Sequence, residues 1–223
     1  INSIPLRYNN NTSYNTSRRH LNVLVNYLHE NGFDIAKSKL KTRKQEEVLH
    51  KPIKHVKTLL DDIYKFNRNL HLCCLMTYCC LLRPHQEIRL LKWSDFNDDL
   101  SYLSLSGSRV KSKRNRHFPV PIIVRKLLVR DDQNINIFSS KEQPYNKDYF
   151  KTLFRRFKSV NPQVDKGVTL YSFRHSGAIE IYKRTGSLSK LQTAMGHSSL
   201  NVSLTYLRGL EVAELKEEDM PMV

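Results

Sequence analysis

Apolar residues recur at helical spacing along most of the chain and switch to strict alternation in one short stretch. After a lead-in rich in Asn, Ser and Thr over residues 1–13, Leu21, Leu24, Val25 and Leu28 fall on one face of a helix predicted over 14–31 and closed by Gly32. Residues 37–51 are dense in Lys, Arg and Gln, show no clear apolar period before Pro52, and read as a basic linker between two units. A domain boundary is therefore expected near residue 50, separating residues 1–50 from 51–223; the alternative is a charged helix within one domain. Beyond Pro52 the spacing predicts helices over roughly 54–66, 70–82 and 85–92. Alternation in Tyr102-Leu103-Ser104-Leu105, and again around His117-Phe118-Pro119-Val120, predicts a small antiparallel sheet. Further helices are predicted near 122–130, 146–158, 172–184, 188–195 and 200–217, punctuated by Gly186 and Gly196. The expected fold class is mainly α with a small antiparallel β-hairpin (α+β), the hairpin being rich in basic residues.

Composition narrows the partners. The 223 residues, 39% of them apolar, can bury a sizeable core. Lys and Arg number 37 against 21 Asp and Glu, a net charge of +16, which favours a polyanion held through its phosphates; nucleic acid is the first candidate, although ribosome-associated proteins are basic too. No stretch approaches the ~18–20 uncharged apolar residues that cross a bilayer, and the N-terminus is not a signal peptide, so a cytoplasmic protein without a membrane partner is expected. The chain begins at Ile1 and not at Met, which leaves room for sequence upstream. Cys73, Cys74, Cys79 and Cys80 all lie in one apolar run whose spacing matches neither a zinc knuckle nor a redox pair. On a helix Cys73 and Cys80 share a face, as small core residues do, so neither a disulfide framework nor a metal site is expected.

The chemistry-bearing residues form an ordered set. Leu82-Arg83-Pro84 leads into Glu87-Ile88 and Leu91-Lys92-Trp93-Ser94-Asp95; later come Tyr171-Ser-Phe-Arg174-His175-Ser-Gly-Ala, then Met195-Gly196-His197-Ser-Ser-Leu, and Tyr206 nine residues after His197. Each piece alone is a weak signal. Together, over about residues 52–210, they resemble the tyrosine recombinase (phage integrase) family. Its catalytic domain carries an Arg after a short apolar helix, a hairpin Lys, a His-x-x-Arg box, a Gly-His pair and a Tyr nine residues further on.

The resemblance implies a site-specific recombinase or integrase that cuts and rejoins DNA for integration, excision or resolution within a mobile genetic element. Tyr206 would attack phosphorus, attach to a 3′ phosphate and free a 5′ hydroxyl, conserving the bond energy so that neither nucleotide nor metal cofactor is required. Arg83 and Arg174 suit the charge that builds on the two non-bridging oxygens, because guanidinium offers paired, permanently charged donors. A hairpin Lys is the family's usual proton donor to the leaving oxygen. Lys111, eight residues before Pro119, resembles the family spacing; Lys113 stays a rival, since the two share a strand face if the strand is regular. The alternative for Arg109 to Arg116 is a solvated basic hairpin that touches DNA backbone.

Two departures stand out. The box begins with Tyr171 where His is usual, and a phenol can hydrogen-bond phosphate but is no base near neutral pH. That leaves His197 as the imidazole of the site and His175 as a buried structural neighbour. The acidic residue commonly three after the first Arg is Gln86 here, with Glu87 at four; both spacings return to one helix face, so Glu87 is carried over only as an orienter of the Args. Residues 1–50 are expected to hold the C-terminal part of a helical core-binding domain. The family further implies double-stranded DNA as partner, four protomers on two DNA segments, and no small-molecule substrate. A type IB topoisomerase and a catalytically inactive DNA-binding relative are the rival readings.

Overall fold

The computed structural model describes residues 7–36, 40–44 and 51–207, and the chain divides into two compact units, Ile1–Val48 and Leu49–Val223. In the first unit, helix α1 (Asn11–Glu30) begins earlier than apolar spacing suggests because the Asn10 side chain accepts from the Thr12 and Ser13 N–H groups. Val25 of the expected stripe is buried, whereas Leu24 is exposed. The expected linker is partly an ordered strap. Tyr14 donates its hydroxyl to the Lys41 carbonyl, and the Asn15 side chain both donates to the Arg43 carbonyl and accepts from its N–H, so an amide side chain substitutes for a strand partner along 40–44. Residues 37–39 and 45–50 of that linker lie outside the described residues.

The second unit is built around an apolar helix. Helices α2 (Val56–Phe66) and α3 (Arg68–Cys79) are separated by Asn67, whose extended backbone ends one and whose side chain caps the other at the Leu70 N–H. Helix α3 packs against α2 and most extensively against α6 (Leu170–Thr185), and α6 in turn packs on α7 (Leu188–Met195). Cys73 and Cys80 are core residues, as the spacing suggested, and so is Cys74; all four thiols are free. Strands β1 (Tyr102–Leu105) and β2 (Arg116–Pro119) pair antiparallel, Leu103 opposite Phe118 and Leu105 opposite Arg116, which gives the expected α+β class. Helices α4 (Ile122–Arg125), α5 (Tyr149–Val160) and α8 (Leu200–Leu204) complete the described elements.

Four expectations need correction. The helix expected over 70–82 ends at Cys79, since Leu81 is fully buried with a φ of 52°, a left-handed backbone that no helix continues through. The helix expected over 85–92 is a turn followed by short 3-10 segments, Ile88–Leu90 and Trp93–Asp95. There the Glu87 side chain bonds the Arg83 N–H, and the Glu87 and Ile88 N–H groups share the Arg83 carbonyl, so side chain and backbone close a loop in place of a helix. The stretch 122–130 forms only one helical turn, and of 200–217 the helix holds to Leu204, with 208–217 outside the described residues.

Gly177 fixes the central packing. A Cβ there would lie 2.1 Å from the Tyr78 carbonyl oxygen and 2.8 Å from a Leu81 methyl, so α6 reaches the end of α3 only because this side chain is missing. Gly177→Ala is expected to destabilise the unit by roughly 1–3 kcal/mol, the usual cost of overpacking a close contact, even though Ala is the better helix former. The midpoint of urea unfolding reads this directly; a raised midpoint would show that the helices separate freely.

Candidate active site

The helix junctions bring Arg83, Tyr171, Arg174, His197 and Tyr206 to one place, without Lys111. Helix α6 is capped at Thr169 and carries Tyr171, Arg174 and His175 in its first two turns. Tyr171 and Arg174, three apart, lie on one face. Arg174 is fully buried and donates Nη2 to the Met195 carbonyl at 2.9 Å, while its Nε and Nη1 are buried without a hydrogen-bond partner. Burial, with Arg83 beside it, pulls its guanidinium down to about 10, which leaves it charged at neutral pH. A buried cation with two unused donors is costly unless an anion completes it.

Arg83 and Glu87 form the next layer. Arg83 donates Nη1 to Glu87 Oε1 at 2.6 Å, and the Glu87 side chain is wholly buried. Its other oxygen accepts from Arg83 N–H at 2.9 Å and from Arg116 Nη1 at 2.9 Å. The fourth-residue spacing to Glu87 therefore serves, through a tight turn and not through a helix face.

His197 follows the end of α7. Gly196 caps that helix with a φ of 65°, and a Cβ there would meet Arg116 Nε at 2.6 Å, so glycine is required twice over. The His197 N–H bonds the Gln192 carbonyl, and its Nδ1 lies 3.0 Å from the buried Ser203 hydroxyl, three residues before Tyr206. Burial, then Arg174, Arg83 and Arg116, lower His197 to about 4, so it is a neutral imidazole at pH 7. Its unfolded value is higher, so this contribution to stability is complete above about 6.5 and is lost as pH falls towards 4.

Tyr206 lies between two imidazoles. Its ring centroid is 5.5 Å from that of His197 and 5.5 Å from that of His175, which is buried as expected but also packs on the tyrosine. Tyr171 is half-buried, and burial raises its phenol above 10, while Arg83 and Arg174 act the other way. It is thus a neutral hydroxyl.

The hairpin lysines are placed differently from expectation. Neither lies on a strand: β2 starts at Arg116, and Lys111 and Lys113 are exposed in the connection before it, Lys113 with a φ of 54°. Lys111 lines an open groove of about 930 Å³ with His85, Arg89, Lys147 and Lys151, and not the cluster around Arg174. Shared strand parity accordingly gives no ground for choosing between them.

Sequence reasoning missed Arg116 and Ser203. Arg116 was absorbed into a run of basic residues, yet its side chain is only 5% exposed. The readable signal was parity: Phe118 and Val120 were the inward residues of the alternation, which turns residue 116 inward as well. For Ser203 the sequence held no comparable signal. Among the described residues no group of His, Cys, Asp and Glu is disposed to hold a metal, and no helix is long and apolar enough to cross a membrane.

Solved structures share this fold. The fold is similar to that of the Tn1549 transposon integrase solved with a circular intermediate DNA, with a TM-score of 0.68 and 14% identity over 97% of this chain and 79% of that one. It is similar also to a lambda integrase dimer on a COC′ core site, at 0.71 and 16% over 93% and 77%. The XerH site-specific recombinase bound to difH gives 0.67 and 19% over 94% and 65%. No curated protein matches the sequence. The model of the phage integrase family matches residues 43–211, and the chain belongs to that family, the tyrosine site-specific recombinases.

Proposed function

We propose that Tyr206 is the nucleophile with which this recombinase cuts and rejoins duplex DNA, and that Arg174 and Arg83 hold the scissile phosphate. The observation that carries this reading is Arg174, buried with two donors unpaired in the cluster that bears Tyr206. A phosphodiester supplies the missing anion, and its oxygens gain charge as the fifth bond to phosphorus forms. The Tyr206 oxygen bonds phosphorus, the bond to the 5′ oxygen breaks, and the departing oxygen takes a proton. Reversal by another 5′ hydroxyl restores the backbone. Neutral His197 accepts or returns the tyrosine proton, Tyr171 donates a hydrogen bond to phosphate, and Lys111 comes to the leaving oxygen once DNA fills the groove.

Residues 1–50 are proposed as part of a core-binding domain; the DNA-bound recombinases that match 93–97% of the chain support this. A tetramer on two DNA segments and a cytoplasmic site of action complete the proposal. Incubation with two supercoiled sites tests it: recombinant joints are expected, whereas relaxed circles alone would mark a topoisomerase and binding without cleavage an inactive relative.

Phosphate neutralisation by a chain of charge +16 makes affinity salt-dependent. The slope of log affinity against log salt is expected near −0.9 per contact, about −5 or steeper for six contacts, by filter binding between 50 and 200 mM salt. A flat response would remove the phosphate-clamp reading.

A further inference from the structure

We propose that Arg116, the first residue of β2, is a positioning residue that sets Arg83 and His197 for the reaction; the proposal rests on the recombinase reading above. Both of its Nη groups are committed. Nη1 donates to Glu87 Oε2 at 2.9 Å and Nη2 to the Ala194 carbonyl at 2.7 Å, while Nε faces Gly196. Nε is buried against Gly196 without a hydrogen-bond partner, and with both Nη groups bound to protein Arg116 acts as a support and not as a third copy of Arg83 and Arg174.

What it touches decides its role. Through Glu87 it competes for the carboxylate that also binds Arg83. Without Arg116, Glu87 turns its full charge on Arg83 and draws it from an incoming phosphate. Through Ala194 it caps the last turn of α7, where Arg174 caps the next carbonyl at Met195. Two guanidiniums thus pin the helix end from which Gly196 and His197 leave. A shift of about 1 Å in such a group costs on the order of a hundredfold in rate.

Electrostatics supply a second signature. The charged groups acting on His197 are Arg174, Arg83 and Arg116, which lower its proton affinity, and Glu87, which raises it; the Ser203 hydroxyl and the Tyr206 ring pack against it. Removing Arg116 deletes one of the three cations, so His197 then holds its proton to higher pH. A residue that only filled space would leave that titration where it was.

The experiment compares wild type, Arg116→Gln and Arg116→Lys in single-turnover cleavage of a nicked DNA substrate from pH 4 to 8, with DNA affinity and urea midpoints measured alongside. Arg116→Gln is expected to bind DNA within about threefold of wild type, cleave about a hundredfold more slowly, and show its acid limb displaced upward. Arg116→Lys keeps the charge, so its limb stays near that of wild type, but one ammonium does not span both Glu87 and Ala194 and its rate stays low. If the Gln variant does not fold, the Lys variant carries the test: cleavage at the wild-type rate overturns the proposal. So does a Gln variant that folds and keeps either its rate or its acid limb. A folded wild type that binds DNA and forms no adduct would instead overturn the recombinase reading itself.

Discussion

Tyr206→Phe is expected to form no covalent protein–DNA adduct on a nicked substrate that traps the cleaved state, whereas wild type is expected to accumulate it. The effect is all or none, because phenylalanine keeps the ring between His175 and His197 and removes only the oxygen that bonds phosphorus. Denaturing gels show the adduct, and mapping the linked peptide locates it. An adduct formed by the Phe variant, or a peptide containing another tyrosine, would remove Tyr206 from the mechanism. DNA binding by the variant is expected to match wild type, since the charge of the cluster is unchanged.

The second large effect separates the acid from the charge stabilisers. Lys111→Ala is expected to cleave ordinary DNA at least a hundredfold more slowly, a typical contribution for general acid catalysis. A substrate with sulfur in place of the bridging 5′ oxygen leaves as a thiolate and needs no proton, so it restores cleavage to this variant. Arg83→Ala and Arg174→Ala are not restored, because the non-bridging oxygens that they stabilise are the same in both substrates; each loses about a hundred- to a thousandfold on either. Restoration of Lys113→Ala in place of Lys111→Ala would move the acid by two residues. Both lysines stand on the exposed hairpin connection, so geometry in the free protein favours neither.

The residues proposed for catalysis were legible because the chemistry restricts residue types and the helix restricts spacing: Tyr171 and Arg174 share a face, and the helix stop at Gly196 places His197. Helix existence was equally legible where an apolar stripe met a cap, as in α7. What the sequence obscured are places where one side chain overrides local preference. Glu87 satisfies the Arg83 backbone and converts an expected helix into a loop, and no periodicity records a carboxylate folding back on its own turn. Leu81 adopts a left-handed backbone for the sake of burial, a trade made by tertiary packing alone. Arg116 looked like its exposed neighbours Arg114 and Lys113 because residue type does not reveal burial in a short strand.

Arg174 ties catalysis to folding. The free protein carries a guanidinium in its interior with two donors unpaired, next to Arg83, with Glu87 the carboxylate that binds Arg83 and Arg116. Natural sequences concede stability at sites of this kind, where consistency between local and global preferences is given up for reactivity. If Arg174 holds the scissile phosphate as proposed, DNA acts as a missing part of the fold: whatever binds the native state and not the unfolded chain raises its stability by mass action, about 2.7 kcal/mol when the ligand is a hundredfold above its dissociation constant. The recombinase is consequently most robust when it is seated on its substrate, and the cost of holding a ready active site falls on the protein that is still searching for one.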